Sequence, residues 1–168
     1  MLDNFKERLK EIKAFVFDVD GVFSQNVILQ ANGEMLRTMN TKDGFALYYA
    51  VNEQSFIAAI ITGGYSESVK IRFQAMGLTD IYIKSTNKLD DFEDFMSKYN
   101  FKPSEVLYMG DDIPDYQVMK TVGIPTCPSD AAEEIKSISV YISDKKGGEG
   151  CVRDVIEQVL RAQGKWMS

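Results

Sequence analysis

Short, uniformly apolar runs alternate along the chain with stretches in which apolar residues recur every three or four positions. Ala14–Phe17 (AFVF), Phe56–Ile61 (FIAAII) and Val106–Met109 (VLYM) read as buried strands, and Ile81–Ile83, Ile124–Cys127 and Val140–Ile142 as shorter ones. Strands this apolar belong in a parallel sheet covered on both faces. Helical patterns lie between them at Gly44–Asn52, Ser66–Met76, Asn87–Tyr99, Asp115–Thr121 and Val152–Gln163. Within Asn87–Tyr99, Leu89, Phe92, Phe95, Met96 and Tyr99 share one face, and Ser66 and Gly77 read as the N-cap and stop of the helix they flank. Such alternation predicts right-handed βαβ units in a doubly wound, mostly parallel α/β sheet. Val27–Asn40 breaks the rhythm: two short strands around Ala31-Asn32-Gly33 predict a β-hairpin inserted after the first strand. Without an internal repeat or linker, residues 1–168 read as one domain.

Composition narrows the chemistry. The 168 residues are 45% apolar, enough for a core, and carry 19 basic against 25 acidic side chains, a net charge of −6. That balance opposes a nucleic-acid partner. Histidine is absent, which excludes Ser-His-Asp triads, Cys-His dyads and His-ligated zinc. Cys127 and Cys151 are too few for a disulfide framework or a thiolate metal site. Met1–Lys13 is charged and helix-like rather than a signal peptide, and no apolar run reaches the ~20 residues that span a bilayer. The expectation is a cytoplasmic protein with reduced thiols and no membrane segment. Proton transfer must fall to carboxylates, lysines or tyrosines.

In a Rossmann-like open sheet, ligands bind at the carboxyl ends of the strands. The first strand runs into Asp18-Val19-Asp20-Gly21 and the fourth into Gly110-Asp111-Asp112-Ile113-Pro114-Asp115. Alternation in extended chain places Asp18 and Asp20 on one side. Two such carboxylates about 4 Å apart repel by roughly 4 kcal/mol at an effective dielectric of 20, so the cluster needs a cation or shifted pKa values. An all-oxygen set without histidine suits Mg²⁺. Asp-x-Asp-Gly alone is often a turn. A calcium loop fails, because its glycine and glutamate positions fall on Phe23 and Leu29. Thr62-Gly63-Gly64, between a strand and a helix, offers a hydroxyl and free N–H groups for a phosphate, and Lys88 is a candidate phosphate ligand. The P-loop and Gly-x-Gly-x-x-Gly motifs are missing.

The order Asp-Val-Asp-Gly, Thr62, Lys88, Gly-Asp-Asp-Ile-Pro-Asp resembles the haloacid dehalogenase superfamily of aspartate-nucleophile phosphatases. A response-regulator receiver also uses acidic strand ends with a Thr and a Lys, but its lysine comes on the last strand. The hairpin, Lys42-Asp43-Gly44, Ile60-Ile61-Thr62-Gly63 and Gly147-Gly148-Glu149-Gly150 extend the resemblance to the capless sugar-acid phosphatases typified by 3-deoxy-D-manno-octulosonate 8-phosphate phosphatase. The gaps between the motifs leave no room for a cap domain. Two departures stand out: Gly64 where many such sequences have Arg after Thr-Gly, and Glu149 where many have Arg. Nine-carbon 2-keto-3-deoxynononate 9-phosphate phosphatases, which can carry Glu after Thr-Gly, are the alternative; a non-catalytic oligomeric scaffold on the same fold is a second.

The resemblance implies Asp18 as nucleophile and Asp20 as acid and base. It implies Mg²⁺ on Asp18, the Asp20 carbonyl and Asp111, and phosphoryl oxygens held by Thr62, the Gly63 N–H and Lys88. Asp112 and Asp115 would orient Lys88 and metal-bound water. It also implies a homotetramer whose hairpins join and whose neighbouring subunits cap the site. Arg72, on the helix after the phosphate loop, is the first choice for the substrate carboxylate, ahead of Lys42 and Arg37. The tail Arg161–Ser168 is a candidate to cover a neighbour's site.

Overall fold

The computed structural model describes residues 4–168. Strand β1 (Ala14–Phe17) is followed by the hairpin β2 (Val27–Leu29) and β3 (Met35–Arg37), then by β4 (Ile57–Ile61), β5 (Asp80–Tyr82), β6 (Val106–Met109), β7 (Ile124–Cys127) and β8 (Tyr141–Ile142). Six of them form one sheet in the order β5-β4-β1-β6-β7-β8. Every pairing in that sheet is parallel, so the expected mostly parallel sheet is wholly so. Among the described residues the hairpin pairs only with itself, antiparallel, Val27 opposite Arg37.

The strands read as continuous apolar runs because both faces are covered. Phe15 and Phe17 face one layer, with Ala46, Leu47, Phe73, Val155 and Val159. Ala14 and Val16 face the other, with Phe92, Phe95, Val118 and Ile135. The helices of these layers are α2 (Thr41–Asn52), α3 (Glu67–Ala75), α4 (Lys88–Tyr99), α5 (Tyr116–Thr121), α6 (Glu133–Ile138) and α7 (Cys151–Ala162), after a short α1 (Phe5–Arg8). In α7 the buried residues Cys151, Val152, Val155, Ile156, Val159 and Leu160 form one stripe at helical spacing.

Three local expectations are revised. The second helix starts at Thr41, not Gly44, because the Asn40 side chain accepts from the Lys42 N–H and caps it. Ser66 occupies the N-cap position of α3, but its side chain caps nothing; its hydroxyl meets that of Ser68. Helix α6 was not anticipated, for it is six residues long and buries only Ile135. Of the expected N-terminal helix, residues 1–3 lie outside the described residues.

Candidate active site

After β1 the chain winds outward through β4 to β5, then crosses back to β6 on the other side of β1. The crevice at the carboxyl ends of β1 and β6 is therefore the topological switch point, where open α/β sheets bind ligands. Phe17 and Met109 are register partners, so Asp18 and Gly110-Asp111 leave the sheet at the same level. Gly21 follows with φ +83°, and a Cβ there would lie 1.8 Å from Asp111 Oδ2. The turn and the approach of Asp111 both require glycine.

Asp18 is only 7% exposed. Its Oδ1 accepts from the Val19 N–H at 2.6 Å, and its Oδ2 pairs with Lys88 Nζ at 2.8 Å. Lys88, the first residue of α4, is also buried and donates at 2.8 Å to Asp115 Oδ1. Asp115 has no exposed surface. Its Oδ1 also accepts from the Tyr108 hydroxyl, and its Oδ2 from the N–H groups of Asp111 and Asp112. Oxygens of Asp18, Asp111 and Asp115 lie within 4.8 Å of one another. Asp115 is saturated by four donors, however, and serves as the anchor that holds Lys88 and the β6 loop. No donor among the described residues is paired with the Asp111 carboxylate, which faces Asp18 across the crevice.

One lysine shared by two buried carboxylates leaves negative charge uncompensated. Burial, then Asp115, pushes the Asp18 pKa up to about 8 against the pull of Lys88 and the Val19 N–H. Burial, then Asp115 and Asp112, pushes Asp111 up to about 7. Burial opposes the charge on Lys88, but Asp18 and Asp115 outweigh it and hold the ammonium above the ordinary lysine value. Carboxylates this reluctant to ionise, all oxygen donors with one free of protein donors, fit a hard divalent cation.

The expected pairing of Asp18 with Asp20 on one side is only partly realised. Both leave the same strand end, but the Asp20 carboxylate turns to the hairpin. There Arg37 holds it with both arms, Nε to Oδ1 at 2.7 Å and Nη2 to Oδ2 at 3.0 Å. Asp112 and Asp115 are placed differently. Asp112 is exposed, and its Oδ1 accepts from its own neighbour Ile113 to cap the 113–115 turn, while Asp115 alone of the two meets Lys88. Thr62 is buried at the end of β4, and its Oγ1 accepts from the Gly64 N–H; Gly63 beside it is exposed. Arg72 is exposed on α3 with Nη2 against Gly44 of α2, and the Lys42 side chain is exposed at the start of α2.

Two contributors were missed. Tyr108 sits inside a strand whose apolar pattern hid its hydroxyl. Asp43 is fully buried, and its Oδ1 accepts from the Arg153 N–H in the first turn of α7. It thus caps a helix remote in sequence, and burial raises its pKa to about 6. Glu149 has a plain role in place of the expected Arg: it accepts from Gln25 at 2.5 Å and ties its loop to the segment after Gly21. A cavity of about 600 Å³ lies at the opposite edge of the sheet between Lys13, Phe56, Phe101 and Lys165, and none of these acidic residues lines it.

A profile of the haloacid dehalogenase-like hydrolases matches residues 23–156. The 3-deoxy-D-manno-octulosonate 8-phosphate phosphatase of Escherichia coli K12 is 36% identical over 159 residues, 94% of this chain and 84% of that one. The crystal structure of the Yersinia pestis phosphatase of the same name superposes with a TM-score of 0.93 at 31% identity, over 97% of this chain and 88% of that one. The Moraxella catarrhalis phosphatase, solved in complex with magnesium ion, phosphate ion and a KDO molecule, gives 0.91 at 32% identity, over 98% and 94%. Acidic strand ends at the switch point, a buried lysine between them and this likeness along nearly the whole chain agree: the protein belongs to the haloacid dehalogenase-like hydrolases.

Proposed function

We propose that the protein is a Mg²⁺-dependent phosphatase that hydrolyses 3-deoxy-D-manno-octulosonate 8-phosphate, in the cytoplasm, as a step toward lipopolysaccharide precursors. The observation that carries the reading is Asp18, buried at the switch point with Lys88 Nζ at 2.8 Å, in a chain 36% identical to a phosphatase of that name. An Asp18 oxygen attacks phosphorus, and the phosphorus–sugar oxygen bond breaks to leave an aspartyl-phosphate. Asp20 gives its proton to the departing sugar oxygen. As carboxylate it then takes a proton from the water that attacks phosphorus, releasing inorganic phosphate and Asp18. Thr62, the Gly63 N–H and the remaining ammonium hydrogen of Lys88 hold the transferring oxygens. Mg²⁺, held by Asp18, the Asp20 carbonyl and Asp111, would screen the phosphate dianion from the nucleophile.

Arg72 remains our choice for the substrate carboxylate, since a guanidinium can bind it through two hydrogen bonds. Gly64 supplies no acidic contact for a longer sugar, which favours the eight-carbon acid over the nine-carbon one. The hairpin supports assembly: Ile28 and Leu29 are 52% and 77% exposed on a pair of strands that, among the described residues, stands apart from the six-stranded sheet, and a homotetramer would cover them. Phosphate release from both keto-acid phosphates, with Mg²⁺ and with EDTA, tests the reading. Faster turnover of the nine-carbon ester would overturn the substrate, and full activity after chelation would overturn the metal. Light scattering checks the assembly, with Leu29→Asp expected to dissociate it.

A further inference from the structure

Gly64 is not glycine for the sake of its backbone: among the glycines of the described residues, positive φ occurs at Gly21, Gly33, Gly77, Gly148, Gly150 and Gly164, but not at Gly64. What requires it is space. A Cβ on residue 64 would lie 2.6 Å from Arg37 Nη2 and 3.1 Å from Asp20 Oδ2. The guanidinium therefore occupies the volume that a side chain after Thr62-Gly63 would fill. Arg37 comes from β3 of the hairpin, and its side chain is only 5% exposed, although Asp20's is 37% exposed. Its Nη1 donates to the Met35 carbonyl at 2.7 Å. With Nε and Nη2 both on Asp20, three of the guanidinium's donor directions are fixed.

We infer that Arg37 is a positioning residue for Asp20, and that Gly64 is the gap that admits it. The inference rests on the proposed phosphatase reading, in which Asp20 serves the leaving group and then water. A carboxylate on a strand-end turn has free rotamers, and a two-point hold by a planar guanidinium fixes both its oxygens. The hold comes from the hairpin, so the element that interrupts the alternation of strands and helices orients half of the reacting pair. Arg37 and Gly64 then depend on each other: arginine is useful only while residue 64 has no side chain.

The test compares two phosphate esters without a carboxylate, a neutral sugar phosphate and p-nitrophenyl phosphate, through kcat/KM, which covers the steps up to departure of the leaving group. The sugar alkoxide needs the proton from Asp20; the nitrophenolate does not. Arg37→Ala should lower kcat/KM for the sugar ester by roughly tenfold or more beyond its effect on the aryl ester. Gly64→Ala, which leaves the hairpin sequence intact, should give the same signature, and should cost nothing further in the Arg37→Ala background. Equal losses on both esters, or none, would overturn the inference. So would a loss confined to sugar-acid phosphates, which would make Arg37 a reader of the carboxylate. A Gly64→Ala cost that persists without Arg37 would show that the gap serves substrate instead. No turnover of any ester by the unmutated protein would overturn the phosphatase reading, and this inference with it; turnover with the wrong pattern overturns this one alone.

Discussion

Asp18 and Asp20 are two residues apart in one motif, yet they live in different material. The Asp18 half of the site is made by the ends of central strands and the first turn of α4. It is buried, and its charges are bound to one another through Lys88 and Asp115. The Asp20 half is made by a hairpin that stands apart from the six-stranded sheet, and its carboxylate is partly open to water. The division suits the chemistry. A nucleophile gains from a dry site in which nearby charges act strongly, whereas a group that both gives and takes protons needs access to water. Damage to the buried half should therefore be large and general, and damage to the rim smaller and dependent on the substrate.

The largest effect is expected at Asp18. Asp18→Asn preserves shape but removes the nucleophile, and should reduce turnover on the order of 10⁴-fold or more. Because burial disfavours the Asp18 charge, the same variant should melt no lower than the parent in EDTA at pH 8. Activity within about tenfold of the parent would remove Asp18 from its role, and a collapse of the melting temperature would mean that the carboxylate holds the fold.

Lys88→Met set against Arg37→Met tests the comparison directly. The first leaves Asp18 and Asp115 buried without their cation, and should cost about 3–5 kcal/mol of stability together with ~10²–10³-fold in turnover. The second breaks a pair whose carboxylate is partly solvated, and should cost about 1 kcal/mol or less. Denaturant melts of both proteins measure this. Similar costs for the two would show that the rim pair is as much a part of the fold as the buried one.

The buried half was also the legible half. AFVF-Asp and VLYM-Gly-Asp announce strands that end in carboxylates, and the rules for open sheets bring such ends together. The same rules put Asp18, Asp111, Thr62 and Lys88 at one edge of the sheet. They could not assign Arg37, because an arginine in a short hairpin strand has no periodic or spacing signal, and its partner depends on how the hairpin folds over the sheet edge. Asp112 and Asp115 looked equivalent in sequence. Only the turn at 113–115 turns one outward as a cap and the other inward to Lys88 and Tyr108. Asp43 was visible as a residue of Lys-Asp-Gly, but its partner lies on a helix far along the chain.

Metal removal bears on the buried half alone. Asp43, Asp111 and Asp18 have folded-state pKa values raised to about 6, 7 and 8. A carboxyl with a raised pKa contributes stability that is fully present below its unfolded value and is lost as pH rises through the folded one. In EDTA, the melting temperature should therefore fall between about pH 4 and pH 8 on account of these groups. A divalent cation on Asp18 and Asp111 offsets the repulsion, so the Mg²⁺-induced rise should be greater at pH 8 than at pH 5. At a hundredfold excess over Kd that rise is about 2.7 kcal/mol, or ~5–10 °C for a chain of this size. A shift that does not depend on pH would place the ion away from these two carboxylates.

The smallest effect is expected at Asp112. Asp112 stands next to Asp111 in the Gly-Asp-Asp motif, and the family resemblance implies that it orients Lys88 and metal-bound water. In the structure it is exposed, and its carboxylate accepts from the Ile113 N–H while the Asp115 N–H bonds to its carbonyl. A short capped turn of this kind costs about 0.5–1 kcal/mol when its acceptor is removed. Its charge also contributes to the raised pKa of Asp111, so Asp112→Asn, which keeps the acceptor and drops the charge, separates the two effects. Asp112→Ala should lower stability by that amount, with turnover held within roughly threefold because no substrate-facing group moves. Asp112→Asn should keep the stability and lessen the pH dependence of the Mg²⁺ effect. A tenfold loss of turnover in both variants, with stability unchanged, would return Asp112 to the site.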